Sequence, residues 1–361
     1  MSIKTLTMTA VIALGTSAAF AEEVRVYNWS DYIDEDLLKK FEEETGLTLI
    51  YDVFDSNEVL ETKMLAGGSG YDVVVPTGSF MSRQIQAGAF QELDAAKLSN
   101  IGNAWDVIAE RVAQFDPDNK HSVNYMWGTT GLGVNVGKVK EVLGEDAPLD
   151  SMELIFNPEN MEKLAACGVY FLDAPDEMVP AALVYAGLDP NSHEKDDIAK
   201  AEEVFAAVRP YVNKFHSSEY INALANGDIC VAVGFSGDVL QARDRAAEAD
   251  NGVEIAYNAF KEGSQMWFDQ LAVPIDAPNP DGAHKFINFM LDAQNMAAAS
   301  NYVFYANGNK ASQEFLAEDV IGDPAVYPSE EAMANTYIKG PYPQKTQRVV
   351  TRMWTKIKSG T

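Results

Sequence analysis

The sequence is poor in the residue types on which several common classes of function depend. Its 361 residues include two cysteines, four histidines and 27 basic residues against 54 acidic ones, which gives a formal charge of −27. Such acidity argues against nucleic acid and anionic lipid surfaces as partners, because like charges repel, and it favours cationic ligands. The histidines are scattered without the spacing of metal ligands, so we expect no metal site.

Sequence signatures of catalysis and of cofactor binding are missing as well. No dinucleotide-binding fingerprint occurs, and the glycine-rich stretch 67–70 is not followed by the Gly-Lys-Ser/Thr of a phosphate-binding loop. The stretch 234–237 is one residue short of the nucleophile elbow of serine hydrolases. We therefore expect no cofactor. Paired carboxylates could still hydrolyse glycosides, so an exported enzyme of that kind stays an alternative.

Long apolar runs are missing except at the N-terminus. There, Lys4, the apolar run 6–14 and the Ala-Phe-Ala at 19–21 form the pattern of a secretory signal peptide, with cleavage expected after Ala21. No later stretch approaches the about 20 apolar residues that span a membrane. We expect a soluble, exported protein of two domains, in which two cysteines favour a disulfide over buried free thiols.

The first part of the chain alternates between predicted strands and predicted helices. Strands are expected at about 24–29, 47–54 and 71–75, and acidic first turns, a capping box and Gly46 delimit the helices between them. This order is typical of a parallel sheet covered by helices, in which ligands bind where strands end. The extended stretch 124–136 then predicts a strand that leaves a first lobe for a second.

The second half of the chain again contains predicted strands and predicted helices. Strands are expected at about 169–172, 229–233, 253–260 and 265–274. Residues 281–302 predict one long amphipathic helix, and the remainder of the chain is expected to be helical. Acidic and aromatic residues again follow the predicted strand ends, as they do in the first half.

Acidic and aromatic residues recur together at these strand ends and on the strand at 265–274. Taken singly, each acid has the alternative explanation of a helix cap or a surface charge. Together they favour a site for an organic cation, because carboxylates accept hydrogen bonds from ammonium groups and rings cover the aliphatic part of a ligand. The acids are Asp31, Glu177, Asp238 and Asp269, and the rings are those of Trp29, Tyr32, Phe235, Trp267 and Tyr305.

Seven segments spread over the chain carry a resemblance to a known protein family. They are residues 27–32 (YNWSDY), 51–61 (YDVFDSNEVLE), 125–127 (YMW), 171–175 (FLDAP), 215–218 (FHSS), 225–232 (ANGDICVA) and 303–307 (VFYAN). On these segments the sequence resembles the periplasmic polyamine-binding proteins of bacterial ABC importers, in the putrescine and spermidine branch. The resemblance covers essentially the whole chain after the predicted signal peptide.

The resemblance implies an α/β fold of the class II periplasmic binding-protein type. Two lobes, each with a central, mostly parallel sheet flanked by helices, would be joined by crossing hinge strands. Lobe 1 is expected to comprise residues 22–133 plus 261–305, and lobe 2 residues 134–260 plus 306–361, after a signal peptide at 1–21. The implied protein is a periplasmic, monomeric, non-enzymatic receptor that closes on putrescine or spermidine and delivers it to an inner-membrane ABC permease.

The binding residues of the family fall on defined positions of this sequence. The resemblance implies ligand contacts at Trp29, Ser30, Asp31, Tyr32, Thr77, Glu177, Phe235, Asp238, Trp267, Asp269 and Tyr305, and a disulfide between Cys167 and Cys230. Relatives often carry Trp at the position of Phe235, putrescine-preferring ones often carry Phe at that of Trp267, and Thr77 replaces the more usual Ser. Ligand length therefore stays open, as does a receptor for another organic cation.

Overall fold

Eleven strands form one mixed β-sheet in the computed structural model, which describes residues 22–360. They are β1 (Glu23–Trp29), β2 (Thr48–Phe54), β3 (Val73–Val74), β4 (Ser122–Asn135), β5 (Val169–Phe171), β6 (Lys214–Phe215), β7 (Val231–Phe235), β8 (Ile255–Ala259), β9 (Ser264–Ala272), β10 (Ala306–Asn307) and β11 (Thr336–Tyr337). Neighbours follow the order β2-β1-β3-β9-β4-β7-β5-β6, while β10 and β8 pair with β4 and β11 pairs with β9. The predicted signal peptide at 1–21 lies outside the described residues.

Helices connect the strands and pack beside them. They are α1 (Glu35–Thr45), α2 (Asn57–Ala66), α3 (Gly78–Gln86), α4 (Asp106–Val112), α5 (Val136–Leu143), α6 (Glu153–Phe156), α7 (Pro158–Leu164), α8 (Pro175–Tyr185), α9 (Lys195–Val208), α10 (Tyr220–Ala225), α11 (Ser236–Glu248), α12 (Pro280–Met290), α13 (Ala293–Val303), α14 (Glu318–Ile321), α15 (Glu330–Ala334) and α16 (Gln344–Ser359). Within residues 22–360, none of them combines the length and the apolar character that crossing a membrane requires.

The strands β4 and β9 join two parallel halves of the sheet. In the first half β1 pairs in parallel with β2 and β3, and in the second half β5 pairs in parallel with β6 and β7. Residues 122–129 of β4 are antiparallel to β9, whereas residues 130–135 are antiparallel to β7 and β8. The long strand thus runs from one half into the other, as the stretch 124–136 predicts, and the chain has two lobes.

The first crossover connections show how the local sequence builds the first lobe. Asp34 caps α1 by accepting a hydrogen bond from the amide of Asp36, and Gly46 ends the helix with φ at 71°, a conformation that glycine adopts without strain. Leu37 and Phe41, one helical turn apart, are buried against the first-lobe core. The acidic first turn and the terminating glycine that the sequence predicts are therefore confirmed.

Separate apolar cores lie in the two lobes. Val24 of β1 and Ile287 of α12 belong to one core, whereas Val231 of β7 and Trp354 of α16 belong to the other. Burial of each such large side chain contributes about 1.5–3 kcal/mol. A third cluster, around Trp127 of β4, joins the crossing strands to part of the segment after β10. The lobe boundaries given above stay a prediction.

Two sequence-based expectations for the C-terminal third differ from the structure. Residues 281–302 form two helices, α12 and α13, instead of one. The chain leaves the helical conformation at Asp292, whose carboxylate caps α13 by accepting hydrogen bonds from the amides of Gln294 and Asn295. The remainder, expected to be helical, contains short helices and β11 before α16 begins. Both differences arise because apolar periodicity does not register a local cap or a turn.

The two cysteines form a disulfide, as expected. Cys167 lies just before β5 and Cys230 just before β7, and because these strands are parallel neighbours, their starts bring the two Cα atoms to 5.5 Å. Cys230 is fully buried in the core of the second lobe. The bond therefore closes a loop with a sequence separation of 63 residues inside one lobe.

Replacing both cysteines by alanine should destabilise the protein. The chain-entropy relation gives about 4 kcal/mol for a loop of this size, because the cross-link restricts the unfolded chain. Urea denaturation of the double variant and the oxidised wild type measures the difference in free energy of unfolding. Dithiothreitol should lower the stability of the wild type and leave the variant unchanged; equal stability of both proteins would contradict the prediction.

Candidate functional site

A cleft of about 780 Å³, counting the space open to solvent, lies between the two lobes. Its walls come from residues at the ends of β1 and β7, from β9 and from the first turns of α8 and α11. The carboxyl ends of the parallel strands in both halves meet there, which is where α/β folds place ligands. Ten of the eleven predicted binding residues line it: Trp29, Ser30, Tyr32, Thr77, Glu177, Phe235, Asp238, Trp267, Asp269 and Tyr305.

Asp269 projects from β9 and is held by two hydroxyl groups. The Thr77 hydroxyl donates to Oδ1 at 2.6 Å, and the Tyr32 hydroxyl donates to Oδ2 at 2.9 Å. Burial raises the pKa of Asp269 to about 7, because the charged form loses its hydration, while the two hydroxyl donors oppose this shift. Neutral donors therefore orientate the side chain, and its ionisation is disfavoured because the charged form is desolvated.

Asp238, in the first turn of α11, has an equivalent arrangement in the second lobe. The Tyr305 hydroxyl donates to Oδ1 at 2.6 Å, and the Tyr220 hydroxyl donates to Oδ2 at 2.7 Å. Burial raises the pKa of Asp238 to about 6 against the opposing effect of these donors. Tyr305 follows α13, so its contact with α11 connects the two lobes across the cleft.

Glu177, in the first turn of α8, is the third acid of the cleft and is buried. It accepts hydrogen bonds of 2.7 Å from the Thr130 hydroxyl and from the side-chain amide of Gln265. Burial raises the pKa of Glu177 to about 8, and the neighbouring acids Asp176 and Asp269 add to the shift. Both donors lie on the crossing strands β4 and β9, which hold this acid over the junction of the lobes.

None of these three acids has a cationic partner in the described part of the chain. Lysine, arginine and histidine side chains of residues 22–360 form no ion pair with Asp238, Asp269 or Glu177. Buried carboxylates are costly unless a positive charge accompanies them. The cleft is consequently suited to a ligand that brings positive charge with it. No cluster of three potential metal-binding side chains occurs among the described residues.

Aromatic rings form the apolar part of the cleft. The ring of Trp267 meets those of Phe235 and Tyr305 edge-on, with centroids 5.6 and 5.2 Å apart, and Tyr32 packs on Tyr305 at 5.3 Å. The indole nitrogen of Trp29 donates to the carbonyl of Val75 at 3.0 Å, which fixes this ring at the end of β1. Such rings exclude water and present π faces to cations and methylene groups.

Two glycines make room for these rings. A Cβ atom at Gly237 would lie 2.6 Å from the Tyr305 ring, and one at Gly128 would lie 2.7 Å from the Trp267 indole. Both distances are too short for a side chain, so the close approach of backbone and ring requires glycine. Gly237 belongs to the same stretch, 234–237, that resembles an incomplete hydrolase elbow in the sequence. In the structure, Gly237 of this stretch packs on Tyr305, and Phe235 lines the cleft.

Asp31 is the predicted binding residue that the structure leaves outside the cleft lining. It follows β1 with a left-handed φ of 53°, and its carboxylate accepts a hydrogen bond of 2.9 Å from the guanidinium of Arg245 on α11. Its carbonyl accepts from the amide of Gln241 on the same helix. Because the turn presents Asp31 to α11, this residue links the two lobes through an ion pair at the surface.

Several cleft residues escaped the sequence reasoning. Residues 55–58 are predicted to start a helix and belong to the segment 51–61 that carries the family resemblance, but no ligand contact is expected there. Ser56 does cap α2, and all four residues also line the cleft. Asn57 exchanges two hydrogen bonds with Thr77, from its amide to the hydroxyl and from the Thr77 amide to its oxygen. The available signal was position, because the segment follows β2 in the same way that Trp29 ends β1. Other lining residues not predicted are Ser79, Phe80, Asp173, Ala174, Asp176, Ser217 and Ser218.

Comparison with known proteins assigns the chain to a family. Residues 36–328 match the family model described as bacterial extracellular solute-binding protein. The chain belongs to this family. It is 50% identical over 355 residues to the putrescine-binding periplasmic protein SpuD of Pseudomonas aeruginosa, covering 98% of this chain and 97% of that one. It is also 50% identical over 350 residues to the putrescine-binding periplasmic protein PotF of Escherichia coli, covering 97% and 95%.

Solved structures of the family share the fold. The spermidine/putrescine ABC transporter substrate-binding protein PotD of Streptococcus pneumoniae is 27% identical and superimposes with a TM-score of 0.75, over 94% of this chain and 99% of that one. The expected α/β fold of two lobes joined by crossing strands is thereby confirmed. The chain is a solute-binding protein whose cleft lies where the two parallel half-sheets end.

The burial of Asp269 should make the free energy of unfolding of the ligand-free protein depend on pH. Because its pKa is about 7 in the folded state and about 4 in the unfolded chain, its stabilising contribution is present below pH 4 and is lost as pH rises through 7. Between pH 5 and 8 the wild type should lose about 2–3 kcal/mol relative to Asp269→Asn, which does not titrate. Urea denaturation at both pH values measures this difference.

A matched control separates the effect of removing a buried carboxylate from the effect of removing any carboxylate. Asp244→Asn removes an exposed carboxylate from α11 outside the cleft and should leave the pH dependence of the wild type unchanged. Parallel pH profiles for the wild type and Asp269→Asn would contradict the assigned environment of this side chain.

Proposed function

We propose that the chain is a periplasmic receptor that binds a polyamine in the cleft and delivers it to an ABC permease of the inner membrane. The observation that carries the proposal is a set of three acids, Glu177 and Asp269 buried and Asp238 partly buried, that form no ion pair within residues 22–360 and lie among packed aromatic rings. A polyamine is complementary to both the acids and the rings. Its ammonium groups pair with the carboxylates, and its methylene groups cover the aromatic rings.

The relatives support the ligand class, the compartment and the partner. SpuD and PotF, each 50% identical to this chain, are named putrescine-binding periplasmic proteins, and the pneumococcal relative is named a substrate-binding protein of an ABC transporter. We infer the same periplasmic location for this chain, with export through the predicted signal peptide at 1–21 and action as a monomer. Because these relatives are binding proteins, we infer that the cleft binds its ligand without catalysis.

Each wall of the cleft has a distinct role in the proposed complex. Asp238 and Asp269 pair with one ammonium group, which restores their ionised forms, and Glu177 pairs with a second. The rings of Trp29, Tyr32, Phe235, Trp267 and Tyr305 enclose the methylene chain, while Thr77 orientates Asp269 through its 2.6 Å hydrogen bond. Since these side chains come from both lobes, the ligand stabilises the closed arrangement, which the permease would recognise.

Thermal unfolding with putrescine, cadaverine, agmatine, spermidine and spermine tests the ligand class. A ligand present at about 100 times its Kd adds roughly 2.7 kcal/mol to the free energy of unfolding, and raises Tm by a few degrees. We expect a selective rise with one or two of these amines. Asp238→Asn should weaken the binding of the best ligand by about tenfold or more, because one ammonium group loses a charged acceptor.

The control for this variant is Asp244→Asn, which should bind the same ligand as tightly as the wild type. If ligand-free wild type shows no shift with any of the five amines, the polyamine proposal fails. Unchanged affinity of Asp238→Asn would instead reject the assignment of this residue to the ligand.

Trp267→Phe should shift the preference of the cleft toward the shorter diamine. The indole covers more of a long methylene chain than a phenyl ring does, so the triamine loses more contact, and we expect a change of roughly threefold or more in the ratio of affinities. Calorimetric titration with putrescine and spermidine measures this ratio. Trp105→Phe, a ring outside the cleft, is the control; an unaltered ratio in Trp267→Phe would show that other residues determine length.

A further inference from the structure

An arginine and a buried aspartate face each other across the boundary between the lobes. Arg83 lies on α3, which follows a strand of the first half-sheet, and Asp176 lies in the first turn of α8, which follows a strand of the second. Their side chains are 19% and 7% exposed, and Nη1 of Arg83 lies 3.8 Å from a carboxylate oxygen of Asp176. Because the partners belong to different lobes, this contact exists only while the lobes are close together.

The first lobe holds the guanidinium of Arg83 in place. Its Nε and Nη2 donate to the carboxylate of Glu61 on α2 at 3.0 and 3.2 Å, and its central carbon lies 4.2 Å from the centroid of the Phe80 ring. Nη1, the nitrogen nearest to Asp176, is buried and has no hydrogen-bond partner among residues 22–360. Two neighbours in the same lobe thus fix the guanidinium and leave one nitrogen for the other lobe.

The second lobe leaves Asp176 without a hydrogen bond. Neither carboxylate oxygen has a partner in the described part of the chain, and the Gln347 side chain on α16 lies nearby without forming one. Burial raises the pKa of Asp176, and the charge of Arg83 is the strongest effect that opposes this rise. When the lobes are apart, water can hydrate this carboxylate. When they are together, it is desolvated and depends on the guanidinium.

Lys339 is the other cation near Asp176, and it belongs to the same lobe. Its two chain neighbours are hydrogen-bonded to the side chain of Asn191, between α8 and α9. Its Nζ donates to the backbone carbonyl of the next residue and lies 3.6 Å from the centroid of the Tyr342 ring. Lys339 therefore stays near Asp176 whether the lobes are open or closed, and Arg83 is the cation that closure brings to it.

We propose that Arg83 is a positioning residue of the receptor, which compensates the charge of Asp176 when the lobes close and so stabilises the closed arrangement without touching the ligand. The inference rests on the proposed receptor function and extends it to how closure is stabilised. Arg83 itself does not line the cleft. Removing one partner of a buried ion pair leaves the other charge uncompensated, which costs more than removing both. Loss of Arg83 should therefore be harmful only while Asp176 keeps its charge.

A double-mutant cycle at pH 8 tests this role by calorimetric titration with each polyamine that binds the wild type. We expect Arg83→Met to weaken every such ligand about tenfold or more and by the same factor, because closure then buries an unpaired carboxylate. Asp176→Asn alone should change the affinities by less than about threefold, and the double variant should bind within about threefold of the wild type. Arg83→Gln serves as a second neutral variant if Arg83→Met does not fold.

Two further measurements separate positioning from a structural role. The loss in Arg83→Met should lie in the dissociation rate measured by stopped flow, because the contact forms after the ligand has entered. A role of Arg83 confined to its own lobe would not be rescued by a substitution in the other lobe. Lys39→Met is the control, since Lys39 pairs with Asp36 at 2.7 Å on the exposed surface of one lobe; it should alter neither affinity nor rates.

The outcomes separate this inference from the proposed function. If the wild type binds no polyamine, the proposed function fails and the positioning role with it. If the wild type binds but the neutral variants of Arg83 bind as tightly, or if the double variant is as weak as the single one, the positioning role is rejected and the receptor function stands. Unequal losses among the polyamines would also reject it, because they would indicate a direct contact with the ligand.

Discussion

The cost of burying carboxylates without a cation is the constraint on which the rest of this structure depends. Asp238, Asp269 and Glu177 each accept hydrogen bonds from neutral donors only, and burial raises the pKa of all three. The donors fix where the oxygens lie but do not supply the missing charge. A cationic ligand therefore gains more from this cleft than from water, because it completes an arrangement that the protein leaves incomplete.

The fold positions these acids by joining two parallel half-sheets through two antiparallel strands. β4 passes from one lobe into the other, and β9 carries both Trp267 and Asp269 on its path between them. Residues from distant parts of the chain consequently meet at one junction, as in the hydrogen bond between Tyr305 and Asp238, which are 67 residues apart. A ligand at this junction contacts both lobes, so binding and the relative position of the lobes are coupled.

Much of the fold follows from local patterns. Helix starts at Asp34 and Ser56, the stop at Gly46 and the long strand after residue 122 correspond to sequence signals that act over a few residues. The helix predicted at 281–302 failed because Asp292 caps a new helix within an amphipathic pattern that runs on without interruption. Periodicity reports which face is apolar, whereas a cap depends on one side chain and one backbone conformation.

The sequence by itself determined many of the elements, the family resemblance, the disulfide and most of the rings and acids of the cleft, since strand ends in an α/β chain mark a binding site. Only the tertiary structure decided which acids are buried together and which are paired. Asp31 has the same sequence context of flanking rings, yet a left-handed turn places it against Arg245 at the surface. Glu58 and Asp176 lie in helix first turns and also line the cleft, because their neighbours across it come from other parts of the chain. Burial and partnership are properties of contacts between distant residues, which no local pattern contains.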